Sequence, residues 1–330
     1  IKFSASLSTI FRPFEDDDLQ QAVDVSNRDW TATGDDLLFT LDEFRHFRLP
    51  GDETDIVRHV IVAANGEGRV VGVGGCLLDT KTGECRAYCN VDPDFWGQGI
   101  GTQLVAFVDG WIAENRHLVS DAVPVYSQRG NMRGNRPAIE VFEAAGYHLV
   151  RTSYLMQMEF GQPVQPPPFP NGLRLRSFDV SNDAHALYDA FNDSFAHHWN
   201  FRPQSFELWK YRALDNPAND FSLWLVAEDG DTIAGFSAGG LFAASTGTMG
   251  WVDMLGVRPA WRKQGLGMAL LQSSFAQFQQ RGYTTVGLAV DAQNQTNAVA
   301  LYQRAGMRID REAVVYRKML RGDEANIVNG

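Results

Sequence analysis

The sequence has few cysteines and no apolar run long enough to cross a membrane. A spanning helix needs about 20 consecutive apolar residues, and no stretch of the 330 residues approaches that length. The first residues, IKFSASLSTIFRPF, also lack the apolar centre of a secretory signal, so we expect a cytoplasmic protein with no membrane partner. The three cysteines, Cys76, Cys85 and Cys89, fit no zinc-binding spacing. We therefore expect reduced core thiols and no bound metal.

Positive charge is also scarce. The chain has 29 lysines and arginines against 40 aspartates and glutamates, which gives a formal net charge of −11. An acidic chain repels polyanions, so we expect no nucleic-acid partner, and a small amine-bearing molecule fits better. The composition is otherwise that of a globular protein, with 44% hydrophobic and 21% charged residues. Its length allows two ordinary domains.

One glycine-containing loop stands out in the second half of the chain. The sequence VRPAWRKQGLGMALL starts at Val257 and follows an extended hydrophobic run. Its leucines recur at helical intervals, which places Gly265 and Gly267 at the N-terminus of a helix. Backbone amides at such an end approach an anion closely, and the helix dipole adds positive charge. The loop has neither the G-K-[ST] ending of a P-loop nor the third glycine of a dinucleotide fingerprint.

The same loop occurs earlier in the chain. VDPDFWGQGIGTQL, starting at Val91, aligns without gaps on VRPAWRKQGLGMAL, starting at Val257, at an offset of 166 residues. Arg12, in a short strand before an acidic helix start, corresponds to Arg176 at an offset of 164. Two hairpins with acidic, glycine-containing turns correspond as well. Offsets that nearly agree indicate that one fold has been duplicated.

A proline-rich segment, GQPVQPPPFPNG at residues 161–172, separates the two copies. Its prolines exclude helix and central strand, so we expect a semi-rigid, extended linker. The expected domains are residues 1–160 and 173–330. Each copy reads as strand, helix, hairpin, strand, loop with helix, and then strand, helix and strand. We therefore expect an α/β fold in which each domain has a mixed, mostly antiparallel sheet flanked by helices.

The loop resembles motif A of the GCN5-related N-acetyltransferase (GNAT) family, R/Q-x-x-G-x-G/A, with Arg262, Gly265 and Gly267 at its defining positions. NQTNAVALYQRAGM, starting at Asn294, is similar to the second motif of the family. The resemblance covers essentially the whole chain and implies a tandem GNAT protein. It implies transfer of an acetyl group from acetyl-CoA to a primary amine of a small acceptor. A non-catalytic acyl-CoA sensor or interaction protein is the alternative from another functional class.

The resemblance places CoA in the second copy. The Leu255 amide would donate to the thioester carbonyl, and Val257 would hold the pantetheine through its main chain. Arg262 and Lys263 would flank the phosphates, although Lys263 also fits a solvated helix end. The expected CoA contacts are Leu255, Val257, Arg262, Lys263, Gln264, Gly265, Leu266, Gly267, Met268 and Asn294.

Two side chains are candidates for the chemistry. By the resemblance, Tyr302 is the general acid near the CoA sulfur, and its alternative is packing on the sheet. Asp253 lies four residues before Val257, on what we expect to be the same face of the strand. Its hydrophobic neighbours would raise its pKa and suit it as a general base, but a hydrogen-bonded structural aspartate is the alternative. The commonest base of the family, a glutamate, falls on Trp251.

Four further residues each have two alternative roles. Asn294 either hydrogen-bonds the cofactor or caps a helix. His197, His198 and Trp199 lie where GNAT proteins build the acceptor pocket, and they either line it, with a histidine as a second base, or simply pack.

The first copy has lost the chemical residues. Trp96 stands at the position of Arg262, Ala87 at that of Asp253, and Phe142 at that of Tyr302. We expect a catalytically silent copy. Its remaining loop residues form either a second CoA site or an empty scaffold; they are Val91, Gln98, Gly99 and Gly101.

Overall fold

The structure is a computed structural model that describes residues 9–34, 38–49, 55–170, 172–216, 219–244, 247–294 and 296–327. Residues 1–8, part of the segment on which the expected localisation rests, and residue 171 of the proline-rich segment lie outside the described residues. Among the described helices, none combines the length and the apolar character that a membrane span requires.

Strands and helices alternate along the chain in the order that the sequence predicts. The strands are β1 (Ile10–Pro13), β2 (Ile56–Ala64), β3 (Val70–Asp79), β4 (Glu84–Val91), β5 (Val125–Met132), β6 (His148–Glu159), β7 (Arg174–Ser177), β8 (Leu225–Asp229), β9 (Thr232–Ala244), β10 (Gly247–Val257), β11 (Thr285–Asp291) and β12 (Arg308–Arg321). The helices are α1 (Leu19–Ala32), α2 (Leu41–Arg48), α3 (Ile100–Asn115), α4 (Arg136–Ala144), α5 (Val180–Phe195), α6 (Phe206–Ala213), α7 (Leu266–Gln280) and α8 (Ala298–Arg304).

Two compact units share one topology. In the first unit the strand order is β1-β2-β3-β4-β5-β12, and in the second it is β7-β8-β9-β10-β11-β6. Within each unit one pair is parallel, β4 with β5 and β10 with β11, and the other neighbours are antiparallel. The expected fold class is confirmed, since each unit is a mixed, mostly antiparallel sheet with helices packed on it.

The units differ from the expected domain boundaries at the last strand of each copy. Among the described residues, the first unit comprises residues 9–151 and 313–327, and the second comprises residues 152–312. The end of β12 therefore completes the sheet of the first unit by pairing with β5, and β6 completes that of the second by pairing with β11. Each copy donates its last strand to the other unit.

The proline-rich segment belongs to the second unit. The Val164 amide donates to Gln279 Oε1 over 2.8 Å, and Gln279 Nε2 donates to the Gln162 carbonyl over 3.0 Å. Gln279 lies in the last turn of α7. Prolines keep the segment extended, and these hydrogen bonds fasten its first residues to that helix.

An ion pair that fixes the first strand to the first helix is repeated in both units. Arg12 donates to both carboxylate oxygens of Asp18, over 2.6 and 2.7 Å. Arg176 donates in the same way to Asp183, over 2.5 and 2.8 Å. Each carboxylate is buried and also accepts from a backbone amide at the helix start. Bidentate pairs fix geometry as well as charge, so the two units set the entry of α1 and α5 by one device.

The core of the second unit lies on both faces of its sheet. On one face α7 covers Gly239 and Gly250, whose missing side chains leave room for the Phe278 ring. On the other face, Phe195 of α5 packs against Phe236 of β9, with ring centroids 6.3 Å apart. These two helices therefore hold β9 and β10 between them, and their ends near the loop frame the candidate site.

Candidate functional site

The glycine loop of the second unit opens α7. Gly265 is the N-cap residue, with φ +89°, and no side chain caps the helix. A residue with a Cβ rarely adopts this left-handed backbone, which explains the glycine. Because the first backbone N–H groups of a helix have no intrahelical acceptor, this end is suited to an anion.

Lys263 occupies a left-handed conformation without being glycine. Its φ is +60°, whereas Gly97 has φ +75° at the corresponding position of the first unit. The lysine backbone is strained there by roughly 1 kcal/mol, a cost that glycine avoids. Such strain typically persists where the side chain has a use, and here it holds the ammonium beside the helix N-terminus.

A cavity of about 830 Å³ lies in front of this loop. It is bordered by the end of β10, the start of α7, the residues around α8, and the turn after α5. The expected site residues that line it are Leu255, Val257, Arg262, Lys263, Gly265, Leu266, Gly267, Met268, Tyr302 and His198. The sequence patterns missed several further lining residues, among them Ser194, Trp261, Thr296, Asn297, Ala298, Leu301 and Arg304.

Three cations face the cavity. Arg262, Lys263 and Arg304 line it, and its described lining contains no carboxylate. Within the described part of the chain, none of the three forms a salt bridge. Cations without counter-charge beside a helix N-terminus suit an anionic ligand.

Arg262 also holds the loop in place. Its Nε donates to the Val257 carbonyl over 2.9 Å, and its terminal nitrogen donates to the Ser194 carbonyl over 2.9 Å. The guanidinium therefore ties the loop to the end of β10 and to α5. Arg262 lines the cavity as well.

Tyr302 lies on α8, and its side chain is buried while still lining the cavity. Burial raises the pKa of its phenol to about 12. The hydroxyl therefore keeps its proton at neutral pH. A phenol that retains its proton next to a cavity can donate a hydrogen bond to a ligand.

Asp253 occupies a β-bulge in β10. Val252 pairs with Gly239 and Met254 pairs with Ala238, so Asp253 is the extra residue with no partner on β9. Beyond Val252, β10 also has no registered partner on β11, since their pairing spans only Gly250 to Val252. The bulge and this parting of two strands open the sheet next to the cavity.

The bulge reverses the expected face of Asp253. Val257 packs on the α7 side, where its Cγ2 lies 3.7 Å from the Cβ position of Gly267. The Asp253 carboxylate instead lies over Gly240, which faces away from α7 because its neighbour Gly239 faces Phe278. The prediction that Asp253 shares a face with Val257 is therefore wrong, because an extra residue interrupts the alternation.

Asp253 combines an open side with a low-dielectric setting. The residue is exposed, and its carboxylate lies over the backbone of Gly240. Desolvation by the surrounding protein raises its pKa to about 7, with no contribution from a charged neighbour. Near pH 7 it can exist in both protonation states.

Two family models match the chain: the acetyltransferase (GNAT) family over residues 184–307 and the acetyltransferase (GNAT) domain over residues 57–149. A mycothiol acetyltransferase of Thermobispora bispora is 31% identical over 233 residues, which cover 69% of this chain and 74% of the relative. The chain belongs to the GNAT acetyltransferase family. Its activity is therefore acyl-CoA-dependent N-acetyl transfer, and GNAT enzymes use acetyl-CoA as cosubstrate.

Further comparisons extend the GNAT assignment to both units. A mycothiol acetyltransferase of Streptomyces bingchenggensis is 29% identical over 270 residues, covering 79% of this chain and 81% of the relative. A GNAT crystal structure from Sphaerobacter thermophilus aligns with a TM-score of 0.75 at 28% identity, over 95% of this chain and 96% of that chain. A tandem GNAT protein of the clavulanic acid pathway shares the fold, with a TM-score of 0.73 at 15% identity, over 96% and 100% of the two chains. The predicted tandem GNAT architecture is confirmed.

Some expected residues of this GNAT site lie elsewhere. Asn294 accepts a hydrogen bond from the Thr296 amide over 2.7 Å, and Asn297, not Asn294, precedes α8 and lines the cavity. Gln264 donates to the Ala260 carbonyl over 3.1 Å. The described lining of the cavity does not include five of the expected site residues, namely Asn294, Gln264, Asp253, His197 and Trp199.

His198 is the member of the aromatic segment that reaches the GNAT cavity. It follows α5 in a turn closed by its amide and the Phe195 carbonyl, 2.8 Å apart, and its ring meets the Phe195 ring edge-on at 4.5 Å. Burial lowers the pKa of its imidazole, Asp291 opposes the change, and Arg262 adds to it. A neutral imidazole at pH 7 can accept a proton or a hydrogen bond.

The missed residues carry weak signals in sequence. Arg304 lies two residues after Tyr302, in the last turn of α8, where a cation also stabilises the helix dipole. Because basic residues are common in the last turn of a helix for this reason, the sequence does not indicate that Arg304 also lines the cavity. Ser194 participates through its backbone carbonyl, which no side-chain pattern can reveal.

The first unit has a smaller cavity of opposite charge at the corresponding place. About 420 Å³ in volume, it is lined by Asp29 and Glu140, and no lysine or arginine occurs among its described lining residues. Val91, Gly99 and Gly101 line it, but Gln98 does not. The charge of this lining disfavours a pyrophosphate.

Trp96 replaces Arg262 in structure as well as in sequence. Its indole Nε1 donates to the Val91 carbonyl over 2.8 Å, as Arg262 donates to Val257, and also to Asp29 over 3.1 Å. Burial raises the pKa of Asp29 to about 6, against the hydrogen bonds from Asn90 and Trp96. The loop of the first unit thus keeps the side-chain hydrogen bond to the end of the strand, but it lacks the positive charge.

Replacing Asp253 by asparagine is expected to raise the thermal unfolding temperature at pH 8 and to change it less at pH 5. The folded pKa of about 7 lies above the ordinary value of about 3.9, so the folded state binds the proton more tightly than the unfolded state. The resulting stability is present at low pH and is lost as the pH rises through 7. Calorimetry of both proteins at the two pH values measures the difference. A lower unfolding temperature of Asp253→Asn at pH 8 would instead support a structural, hydrogen-bonded carboxylate.

Proposed function

We propose that the second unit transfers the acetyl group of acetyl-CoA to a primary amine of a small acceptor by direct attack. The observation that carries the proposal is the cavity of about 830 Å³, whose lining contains three cations and a buried tyrosine. The cations suit the phosphates of CoA, and the phenol suits its sulfur. The cavity of the first unit has neither feature.

In this proposal the loop binds the CoA phosphates. The N–H groups at the start of α7 donate to the pyrophosphate, and Arg262 and Lys263 neutralise its charge. Arg304, which the motif did not indicate, adds a third cation. Leu255 and Val257 line the cavity where β10 has left β11, so their strand offers backbone groups to the pantetheine and to the thioester carbonyl.

The amine must lose a proton before it attacks. A free alkyl ammonium has a pKa of roughly 10.4, so a nearby base is required at neutral pH. We assign this role to Asp253, whose raised pKa allows it to take the proton directly or through water. His198, neutral and on the cavity wall, is the second candidate for the same role.

The attack forms a C–N bond and breaks the C–S bond. The amine nitrogen adds to the thioester carbon, the carbonyl oxygen carries negative charge until the intermediate collapses, and CoA leaves as a thiolate. Tyr302 donates a hydrogen bond to that sulfur. Since an ordinary thiol has a pKa of about 8.5, well below that of the buried phenol, the tyrosine stabilises the thiolate as it forms. The first proton, which Asp253 takes from the ammonium, passes to solvent. After the attack the nitrogen is positively charged and loses a second proton as the intermediate collapses, and that proton balances the final thiol.

The proposed acceptor is a small molecule with a primary amine. The acidic carboxylate of Asp253 suits an ammonium, and the net charge of −11 favours the approach of a cation. The names of the relatives make the desacetyl form of mycothiol the first acceptor to test.

Release of CoA thiol from acetyl-CoA is expected only when a primary amine acceptor is present. A thiol-trapping dye follows the reaction with simple amino sugars, polyamines and amino acids that lack a thiol, and mass spectrometry confirms the acetamide. With desacetylmycothiol, whose own thiol would react with the dye, mass spectrometry of the acetamide follows the reaction. The N-acetylated form of each reactive acceptor serves as the control and should give no release. Tight CoA binding with no acetamide from any amine would contradict the proposal.

A further inference from the structure

Gly240 lies beneath the Asp253 carboxylate. A Cβ built on Gly240 would lie 2.8 Å from Asp253 Oδ2, closer than ordinary van der Waals contact. Gly240 pairs with Trp251, two residues before Asp253, on the neighbouring strand. The carboxylate therefore turns back over β9 and occupies space that any other residue at this position would fill.

Opposite Val252 to Val257, β9 has five residues, one fewer than β3 has opposite the corresponding stretch of the first unit. There, β3 and β4 pair without interruption, and Cys76 lies opposite Ala87, the counterpart of Asp253. In the second unit no residue of β9 lies opposite Asp253, so that residue bulges. A single missing residue thus changes the direction in which the side chain points.

At the position of Gly240 the first unit has a leucine, which lies in the core with residues of α3, on the face opposite to that of Gly240. Leu78 pairs with Cys85, as Gly240 pairs with Trp251, so Leu78 is the counterpart of Gly240. Leu78 and Cys85 are fully buried. One copy of the fold therefore has a packed, regular sheet here, and the other has a bulge, a glycine and a carboxylate.

Two aromatic rings lie on the same face of the sheet as the Asp253 carboxylate. The Trp251 and Phe242 rings stack with centroids 4.7 Å apart, on the same face as Gly240. Trp251 also lies over Gly287 of β11, where a Cβ would come within 2.6 Å of its ring. Glycines thus leave room on this face both for the carboxylate and for the Trp251 ring.

We propose that Gly240 is a positioning residue, which acts by leaving the space in which the Asp253 carboxylate sits over β9 at the open side of the sheet. This inference rests on the proposed role of Asp253 as the base. A side chain at residue 240 would force the carboxylate outward, away from β9. An error of about 1 Å in the position of a reacting group can cost 100-fold in rate.

Gly240→Ala is expected to lower kcat/KM about tenfold at pH 7 while CoA affinity stays unchanged. The displaced carboxylate would be better hydrated, so the midpoint of the acid limb of the pH profile should also move below that of the native enzyme. Initial rates with acetyl-CoA and the best amine, from pH 5 to 9, measure both effects. Gly161→Ala, in the same unit and with no atom near its Cβ position, is the matched control.

A double-mutant cycle separates positioning from a general disturbance of the sheet. If Gly240 acts through Asp253, Gly240→Ala should add no further loss to Asp253→Asn. Equal tenfold losses in both backgrounds would overturn the inference. Full activity of Asp253→Asn would instead refute the base assignment in the proposed function, which keeps the two failures distinct.

Asp253→Glu provides a second test if Gly240→Ala folds poorly. The longer side chain retains a carboxylate but no longer fits the recess over Gly240, so we expect a loss similar to that of Gly240→Ala. Native unfolding temperature and native CoA affinity establish that the variant is folded. Native turnover by Asp253→Glu would show that the position of the carboxylate over Gly240 does not matter.

Discussion

Tyr302→Phe should lower kcat about 100-fold and leave the Kd of CoA within about twofold, since general acids of this kind typically contribute 100-fold to 10,000-fold. The phenyl ring fills the same buried space, so packing on the sheet is preserved. Only the hydroxyl is lost. Its high pKa keeps the proton available at every pH of the assay, so the loss should be nearly independent of pH.

Stopped-flow and steady-state measurements with one acceptor give kcat, and calorimetric titration gives the Kd of CoA. Tyr283→Phe is the matched control, because Tyr283 belongs to the same unit but does not line the cavity. A native kcat for Tyr302→Phe would remove Tyr302 as the acid and leave it with a packing role. A large rise in Kd with an unchanged kcat would mean that the hydroxyl serves CoA binding.

The loop and the repeat were predictable because they depend on local patterns. Paired glycines before a helical pattern, leucines at helical spacing and two nearly identical loops can be recognised in the sequence alone. The structure adds the reason that the second loop differs, namely that Arg262 and Trp96 make the same backbone hydrogen bond with opposite consequences for charge.

The face of Asp253 was not predictable in the same way. Alternation along β10 gives the wrong answer because the bulge depends on β9, which has one residue fewer than β3 in the paired stretch that faces the bulge. Sequence patterns within one strand contain no information about the register of its partner.

The exchange of last strands could not be predicted for a related reason. The local sequences of β6 and β12 predict strands, but they do not determine which sheet each strand joins. Both candidate sheets have the same topology, so each offers an equivalent edge next to β5 or β11. The decision depends on tertiary geometry.

The acidic cavity of the first unit bears on the question of a second CoA site. The sequence comparison left CoA binding and an empty scaffold open, because Gly99 and Gly101 are retained. The structure shows that the first loop keeps its shape, with φ +78° at Gly99, but faces Asp29 and Glu140 where the second loop faces cations. Shape without charge favours the second unit as the place where CoA binds.

Gly265→Val should weaken CoA binding by more than 100-fold. At φ +89° a β-branched residue is strongly disfavoured, so the valine will pull the loop out of the conformation that directs the α7 amides at the phosphates. Charge-assisted hydrogen bonds contribute about 1.5–3 kcal/mol each, so losing two of them accounts for a loss of this size. In calorimetric titration with CoA, the native protein should show one site per chain, and Gly265→Val should show no measurable binding.

Gly99→Val tests the same change in the other unit, since Gly99 has the same left-handed backbone at the corresponding position. With CoA confined to the second unit, this variant should keep the native affinity and one site per chain. Two sites in the native protein, each removed by one substitution, would show that the first unit binds CoA despite its acidic cavity. Unchanged CoA binding by Gly265→Val, together with a native unfolding temperature, would contradict the loop assignment itself, because strain without an effect on CoA would mean that the α7 amides do not contact the phosphates.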